Sequence, residues 1–388
     1  MSRSSIFSSD SFAGFGLRFP ATALGVVALL GLIELGLRVV PDPWLYSSSR
    51  SRLGVFTFFE TDVIPKFEHP RIVVLGTSRA QDAVVPRQLD ATLGLPEFST
   101  VNLGIQAGRP YDALRFYTDH RERMKQARLV LLFVDEWHFS SGWGLGWRYV
   151  LEAPLGERIR LVPEGRMPEL PKPTGLSDAE WAELERLRRE DKRSQLEELR
   201  TVVLTDWVFS MRLKLGYVPS AIGINLLKLG KTKSLEMTED YQVLRPEKER
   251  DRAWGPVQDD AAAFDERIHG FYERFDTHPV LTGHVEQLAK LVKEDGGRLV
   301  LIQMPNRRIH QEEVERLYAP HYEQHIAALK ELGARLDVPV FVWRFPEACG
   351  LQEISYLDYG HMAREGSKQF TAFLAEVIQK EKLLDSKD

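Results

Sequence analysis

Only one cysteine, Cys349, occurs in 388 residues. No internal disulfide can form, and no zinc site built on paired cysteines exists. A lone thiol fits either a reducing or an oxidising compartment, so it does not locate the protein. An excess of one charge is also missing. The formal net charge is −5, from 51 basic and 56 acidic side chains. The longest basic cluster is Arg186-Leu187-Arg188-Arg189. Neither feature fits a nucleic-acid binder. No internal repeat is visible, which sets aside solenoids and propellers. What remains is an ordinary globular composition, 43% hydrophobic and 28% charged. The length suits one large α/β domain, or one domain with an insertion.

One long apolar run stands out, ATALGVVALLGLIELGLRVV at residues 21–40. Twenty helical residues span about 30 Å, the thickness of a bilayer's hydrocarbon core. Glu34 and Arg38 interrupt the run at i,i+4 spacing, where they can pair on one helix face. Trp44 and Tyr46 follow as interfacial aromatics, and Pro41 and Pro43 end the helix. A cleaved signal would want a small-x-small site soon after the run, which Glu-Leu-Gly-Leu-Arg does not supply. The expectation is a transmembrane helix at 21–40 acting as a single-pass anchor. Arg3 and Arg18 precede it; Arg38, Arg50 and Arg52 follow, so charge alone does not orient it. The Ser-rich residues 1–20 are expected to be a flexible N-terminus, and 41–70 a connector.

Beyond residue 70 the chain alternates strands with helices. Arg71–Gly76 reads as a short buried strand, with a helix after Pro86. Thr100–Gly104 reads as a second strand, 111–126 as a helix, and Ala127–Val134 (ARLVLLFV) as a central parallel strand. The pattern breaks over 140–265, where Ser177 with Glu180 caps a charged helix running to about Arg200. That stretch reads as an insertion or lid. Alternation resumes with a helix over Pro279–Glu294, a strand over Arg298–Met304, a helix over 309–334 and a strand over Val338–Trp343. A final helix follows from about Met362 to Lys382. Such alternation is the mark of an α/β protein with a parallel sheet. The domain is therefore split, 71–139 and 266–388.

Two local patterns carry chemistry. Val73-Val74-Leu75-Gly76-Thr77-Ser78-Arg79 ends a buried strand on a Gly and delivers a hydroxyl at its tip. Asp358-Tyr359-Gly360-His361 puts a carboxylate three residues before an imidazole, ahead of an amphipathic helix. A hydroxyl needs a base within hydrogen-bond reach and a group that orients the base before it becomes a useful nucleophile. Each piece also has a plain structural reading: Ser78 as a turn residue, Asp358 as a helix cap.

Together these pieces resemble the SGNH (GDSL-like) hydrolase superfamily, over roughly residues 70–138 and 278–380. The resemblance implies a flavodoxin-like three-layer α/β/α sandwich around a central parallel sheet. Gly76-Thr77-Ser78 stands where the family has Gly-Asp-Ser, and Asp358, His361 and Gly366 match the family's last block. The implied triad is Ser78 as nucleophile, His361 as base and Asp358 as its orienting carboxylate. The Asn102–Gly108 stretch implies an oxyanion donor, Gly108 or else Gly104, beside the Ser78 backbone N–H. The family's third block has an Asn that donates to the oxyanion. Here the strand ends Phe133-Val134-Asp135-Glu136-Trp137-His138, so an acceptor-only carboxylate, Asp135, takes that place. His138 and Arg79 are the expected auxiliary donors.

A membrane helix before a divergent domain of this kind resembles proteins that esterify cell-envelope polymers. It implies an extracytoplasmic serine enzyme that transfers or hydrolyses an acyl group, such as acetyl, on a glycan or glycolipid. The acyl donor would come through a multispanning membrane acyltransferase partner. Two alternatives stand beside it: a lipase or esterase on small or lipid esters, and a non-catalytic scaffold subunit. No cofactor and no metal are expected. His310, His321 and His325 fall on one helix, the last two at i,i+4, but no Glu is placed as in His-Glu-x-x-His, and a solvated face is expected. Trp137, Trp143 and Trp147 suit a carbohydrate cleft or lid packing. Cys349 is expected to be inert.

Overall fold

The computed structural model describes residues 21–39, 55–56, 58–106, 108–140, 179, 182, 236–244, 277 and 279–385. The expected flexible residues 1–20, nearly all of the helix after Ser177, Trp143, Trp147 and most of the 140–265 insertion lie outside them.

Five parallel strands form the central sheet: β1 (Ile72–Leu75), β2 (Thr100–Asn102), β3 (Leu129–Phe133), β6 (Arg298–Gln303) and β7 (Val340–Val342). A separate antiparallel pair, β4 (Glu236–Met237) and β5 (Val243–Leu244), lies within the insertion. The sheet order is β2-β1-β3-β6-β7. The chain steps from β1 outward to β2, then returns to the other side of β1 and proceeds outward again. That reversal makes a topological switch point between β1 and β3, where doubly wound sheets open a crevice at their carboxyl ends.

The runs IVVL and LVLLF are apolar throughout because both faces of the sheet are covered. Strand alternation splits them between two cores. Val73, Leu75, Val130, Leu132, Leu299 and Leu301 face one side, under α4 (Pro110–Asp119) and α6 (Pro279–Glu294). Ile72, Val74, Leu131, Phe133, Val300 and Ile302 face the other, under α2 (Ser78–Ala83), α3 (Pro86–Leu93) and α8 (Arg364–Lys380). Helix α8 inserts Phe370, Leu374 and Ile378, all essentially unexposed. Each such side chain stabilises by about 1.5–3 kcal/mol on burial. A four-residue helix, α5 (Arg121–Met124), follows α4. Thus 111–126 is two short helices, broken at His120.

Three expectations change. The connector is part of the core from Phe56 onward: Phe56, Phe59, Val63, Ile64 and Phe67 are buried, with Phe56 and Phe59 rings 5.4 and 5.9 Å from Phe116. The histidines expected on a solvated face are buried instead. Helix α7 (Arg308–Leu336) kinks at Tyr318, two residues before Pro320, and His310, His321 and His325 are all 1% exposed or less. His325 Nε2 lies 2.8 Å from Gln303 Oε1. Finally, the apolar run at 21–40 forms α1 (Ala21–Val39), with Val26, Val27, Leu29, Leu30, Leu32 and Leu35 exposed. Among the described residues no helix is long and apolar enough to cross a membrane, so the expected transmembrane helix stands as a helix only.

Candidate active site

Ser78 is placed by the end of β1. Gly76 follows the strand with φ +139°, a backbone state that side chains disfavour, and a Cβ there would lie 2.7 Å from Phe133 O. Thr77 then caps α2: its Oγ1 accepts from the Arg79 N–H at 3.2 Å and donates to Asp135 Oδ2 at 2.5 Å. Ser78 is thus the first helical residue, 8% exposed. Helix α2 has only six residues, and other elements hold its end. Asn102 Nδ2 donates to Ala80 O and Val84 O, while Gln242 Nε2 donates to Gln81 O and Asp82 O. Gln81 Nε2 answers by donating to Val243 O. The β4–β5 hairpin of the insertion therefore braces the helix that carries Ser78.

Asp358 and His361 come from the loop before α8, which is closed on itself. Tyr356 and Met362 form an antiparallel bridge, and the Leu357 N–H donates to His361 O at 2.8 Å. Inside it, Asp358 Oδ1 accepts from the Gly360 N–H at 3.0 Å and the His361 N–H at 2.9 Å. His361 Nδ1 lies 2.9 Å from Asp358 Oδ2, and His361 Nε2 lies 2.7 Å from Ser78 Oγ. Residues 283 positions apart in sequence are therefore in one hydrogen-bonded line. The cap of α8 is Ala363, so Asp358 is not the N-cap of that helix.

Electrostatics follow the geometry. Burial alone would raise the Asp358 pKa, but the His361 charge and the hydrogen bonds from His361 and Gly360 outweigh it and hold the carboxyl well below its usual range. Burial pushes His361 down, and Asp358, by charge and hydrogen bond, more than reverses this, so the imidazole sits above its ordinary value.

The expected oxyanion donors fare differently. The Gly108 N–H is donated to Ile105 O at 3.0 Å, and the Gly104 N–H to Asn102 Oδ1 at 3.0 Å. Both are committed inside the protein. Gly108 has another reason to be glycine: a Cβ would lie 2.4 Å from Gly76 O. The Ser78 N–H, at the first position of α2, has no acceptor within its own helix. Asp135 is 2% exposed and does not present a bare charge, since Arg79 Nη1 donates to its Oδ1 at 2.8 Å. Arg79, expected as an auxiliary donor, is 1% exposed and spends its guanidinium on protein acceptors. His138 is fully buried, and neither ring nitrogen has a protein partner among the described residues. Burial, with Arg109 and His325 nearby, lowers its pKa well below the ordinary value. Neither residue can offer a donor to a ligand arriving from solvent.

Other residues behave as core. Trp137 packs with Val314, Leu317, Tyr318 and Tyr322, under the Arg109 guanidinium at 5.3 Å. Cys349 is buried and its pKa is raised by that burial, as suits an inert thiol. Among the described residues no cluster of His, Cys, Asp or Glu could hold a metal ion. Sequence reasoning passed over Glu136, Asn306 and Gln242. Asn306 Nδ2 donates to Glu136 Oε1 at 2.5 Å, from the segment after β6 to the segment after β3. No local pattern marks such a long-range bond.

The chain matches no protein-family model, and no characterised protein matches it in sequence. What the site can do rests on its geometry.

Proposed function

We propose that this chain is a serine acyl-ester enzyme with a flavodoxin-like SGNH fold. One observation carries the reading: Ser78 Oγ, His361 and Asp358 form a continuous relay with links of 2.7 and 2.9 Å. Those are the distances an alcohol nucleophile, its base and the base's orienting carboxylate require. The reaction has two halves. His361 Nε2 takes the Ser78 proton as Oγ bonds to the acyl carbon, and the tetrahedral oxyanion meets the Ser78 N–H. Collapse breaks the ester bond, and His361 returns the proton to the leaving alkoxide. An incoming hydroxyl then loses its proton to His361 and attacks the acyl-Ser78 ester, which restores Ser78. Water as acceptor gives hydrolysis; a sugar hydroxyl gives transfer.

The exposed apolar side chains of α1 suit attachment to a membrane, and an extracytoplasmic sheet domain is part of the proposal rather than something α1 decides. An envelope glycan or glycolipid is then the acceptor, and a multispanning membrane acyltransferase supplies the acyl group. A second reading is favoured by the committed N–H groups of Gly104 and Gly108. Each missing oxyanion donor costs roughly 3 kcal/mol of transition-state stabilisation, a factor of about 10²–10³. That shortfall suits a non-catalytic scaffold for the acyltransferase.

Ser78→Ala decides between them. The native protein is expected to take up a fluorophosphonate probe covalently at Ser78, and the variant to lose both labelling and envelope acylation in cells. Folding and membrane association should persist. Full acylation in cells carrying Ser78→Ala would leave the scaffold reading in front.

A further inference from the structure

Arg79 follows the nucleophile directly, yet its side chain does not serve the solvent side. A guanidinium has five N–H donors in a planar fork. Five acceptors meet this one. Nε donates to Gly360 O at 3.3 Å, Nη1 to Asp135 Oδ1 at 2.8 Å and Glu136 Oε2 at 3.4 Å, and Nη2 to Met304 O at 3.4 Å and Pro305 O at 3.0 Å. Those acceptors come from the segments after β3 and β6 and from the loop that carries His361.

Two further facts narrow its role. Gly360 packs so closely on this fork that a Cβ there would lie 2.6 Å from Arg79 Nε. Gly360 also donates to Asp358 Oδ1 through its N–H while accepting from Arg79 through its C=O. A single residue, Gly360, thus links Arg79 to the carboxylate that orients the base.

The geometry points to Arg79 as a positioning residue: its fork docks the Asp358–His361 loop onto the strand ends, at the distance that puts His361 Nε2 on Ser78 Oγ. This rests on the serine-enzyme reading above. Removing a buried partner of two carboxylates is also destabilising, so a purely structural staple is the competing account, and the measurements must separate the two.

The test uses the full-length protein in detergent and a fluorophosphonate probe, reading the maximal rate of covalent labelling and the half-saturating probe concentration separately. Arg79→Lys keeps the positive charge but cannot reach five acceptors. Gly360→Ala presses on the fork from the opposite side and leaves Arg79 intact. Each is expected to lower the maximal labelling rate about 10- to 100-fold, the range set by sub-ångström to 1 Å misplacement of a reacting group. The half-saturating concentration should stay within about twofold, since neither residue touches substrate. The double variant should be no slower than the slower single one, because both break one contact.

Labelling at the native maximal rate in both folded variants overturns the proposal. So does a double variant whose losses multiply. If Arg79→Lys does not fold, Gly360→Ala decides alone: an unchanged maximal rate overturns the proposal, and a fallen rate at constant half-saturation supports it. A native protein that never labels at Ser78 removes the serine-enzyme reading, and this inference with it. Native labelling with insensitive variants removes this inference alone.

Discussion

Two aspartates lie close to His361 at different depths, and they are held in opposite ways. Asp358 sits at the rim, its side chain 31% exposed, with two backbone N–H groups and one imidazole on its oxygens. Asp135 lies just after β3, its side chain 3% exposed, and must share Arg79 with Glu136. Burial raises both; at Asp358 its partners win and the pKa falls. At Asp135, Arg79 pulls down while Glu136 adds to burial, and the net direction is up. The difference teaches what each carboxylate can do. One with its own donors and a titratable partner stays charged and can steady an imidazolium. One that shares a cation in a closed interior can only help to fix its neighbours in place.

The sharpest test of this contrast is Asp358→Asn. It frees the His361 tautomer while keeping the shape, and turnover should fall on the order of 10⁴-fold, the scale of the loss when a triad carboxylate is neutralised. The midpoint of thermal unfolding should fall as well, because the depressed Asp358 and the raised His361 stabilise the fold together. Asn keeps the Oδ1 acceptor for the loop N–H groups, and the protein should remain folded. A loss below tenfold would mean that Asp358 does not orient the base.

Asp135→Ala should show the reverse balance. Taking away one member of a buried charged cluster costs about 3 kcal/mol, at the low end because Glu136 remains on Arg79. The midpoint of thermal unfolding should drop by about 6–12 °C. Turnover should fall far less than in Asp358→Asn, through Arg79 and Thr77, the two residues beside Ser78 that Asp135 holds. If Asp135→Ala lost as much rate with no change in melting, the buried carboxylate would belong to the chemistry after all.

The smallest expected effect is in pH. On the proposed serine-enzyme reading the base must be neutral, and Asp358 raises His361 above its ordinary 6.5. Activity should therefore rise with pH through a limb lying above that value. Stability runs the other way. The raised His361 contributes fully below its unfolded pKa, and that contribution is lost as pH rises through the folded one. The depressed Asp358 contributes above its unfolded value near 3.8, and that is lost as pH falls through its lower folded pKa. The pair thus stabilises most between about pH 4 and 6.5, where activity is still low. Ring-proton titration of His361 by NMR should show Asp358→Asn lowering its pKa and Asp135→Ala moving it much less. An equal shift from both would erase the contrast.

How much of this could be read in advance differs by element. The strands IVVL, LVLLF and RLVLIQ are buried on both faces, so continuous apolar runs betray them. Asp358 and His361 were legible because their pairing is local, three residues apart. Helix α2 was not, since SRAQDA is too short to show a period and is held by side chains from residues 102, 242 and 371. The β4–β5 hairpin was lost in a polar stretch, because its strands are two residues each. Arg79 was named for the wrong reason. Three of its five acceptors are backbone carbonyls, which every residue owns, so no residue type announces them.

The loop from Tyr356 to Met362 has one more consequence. Because the bridge at its neck, the Asp358 turn and the His361 ring are all within seven consecutive residues, the base and its carboxylate form a self-contained cassette. When the protein breathes, the histidine and aspartate travel together, and the only alignment that can be lost is the one to Ser78. Alignment of the site then comes down to where that loop sits against Ser78, a single distance. On the proposed serine-enzyme reading, a molecule caught mid-opening would be inactive with its dyad intact.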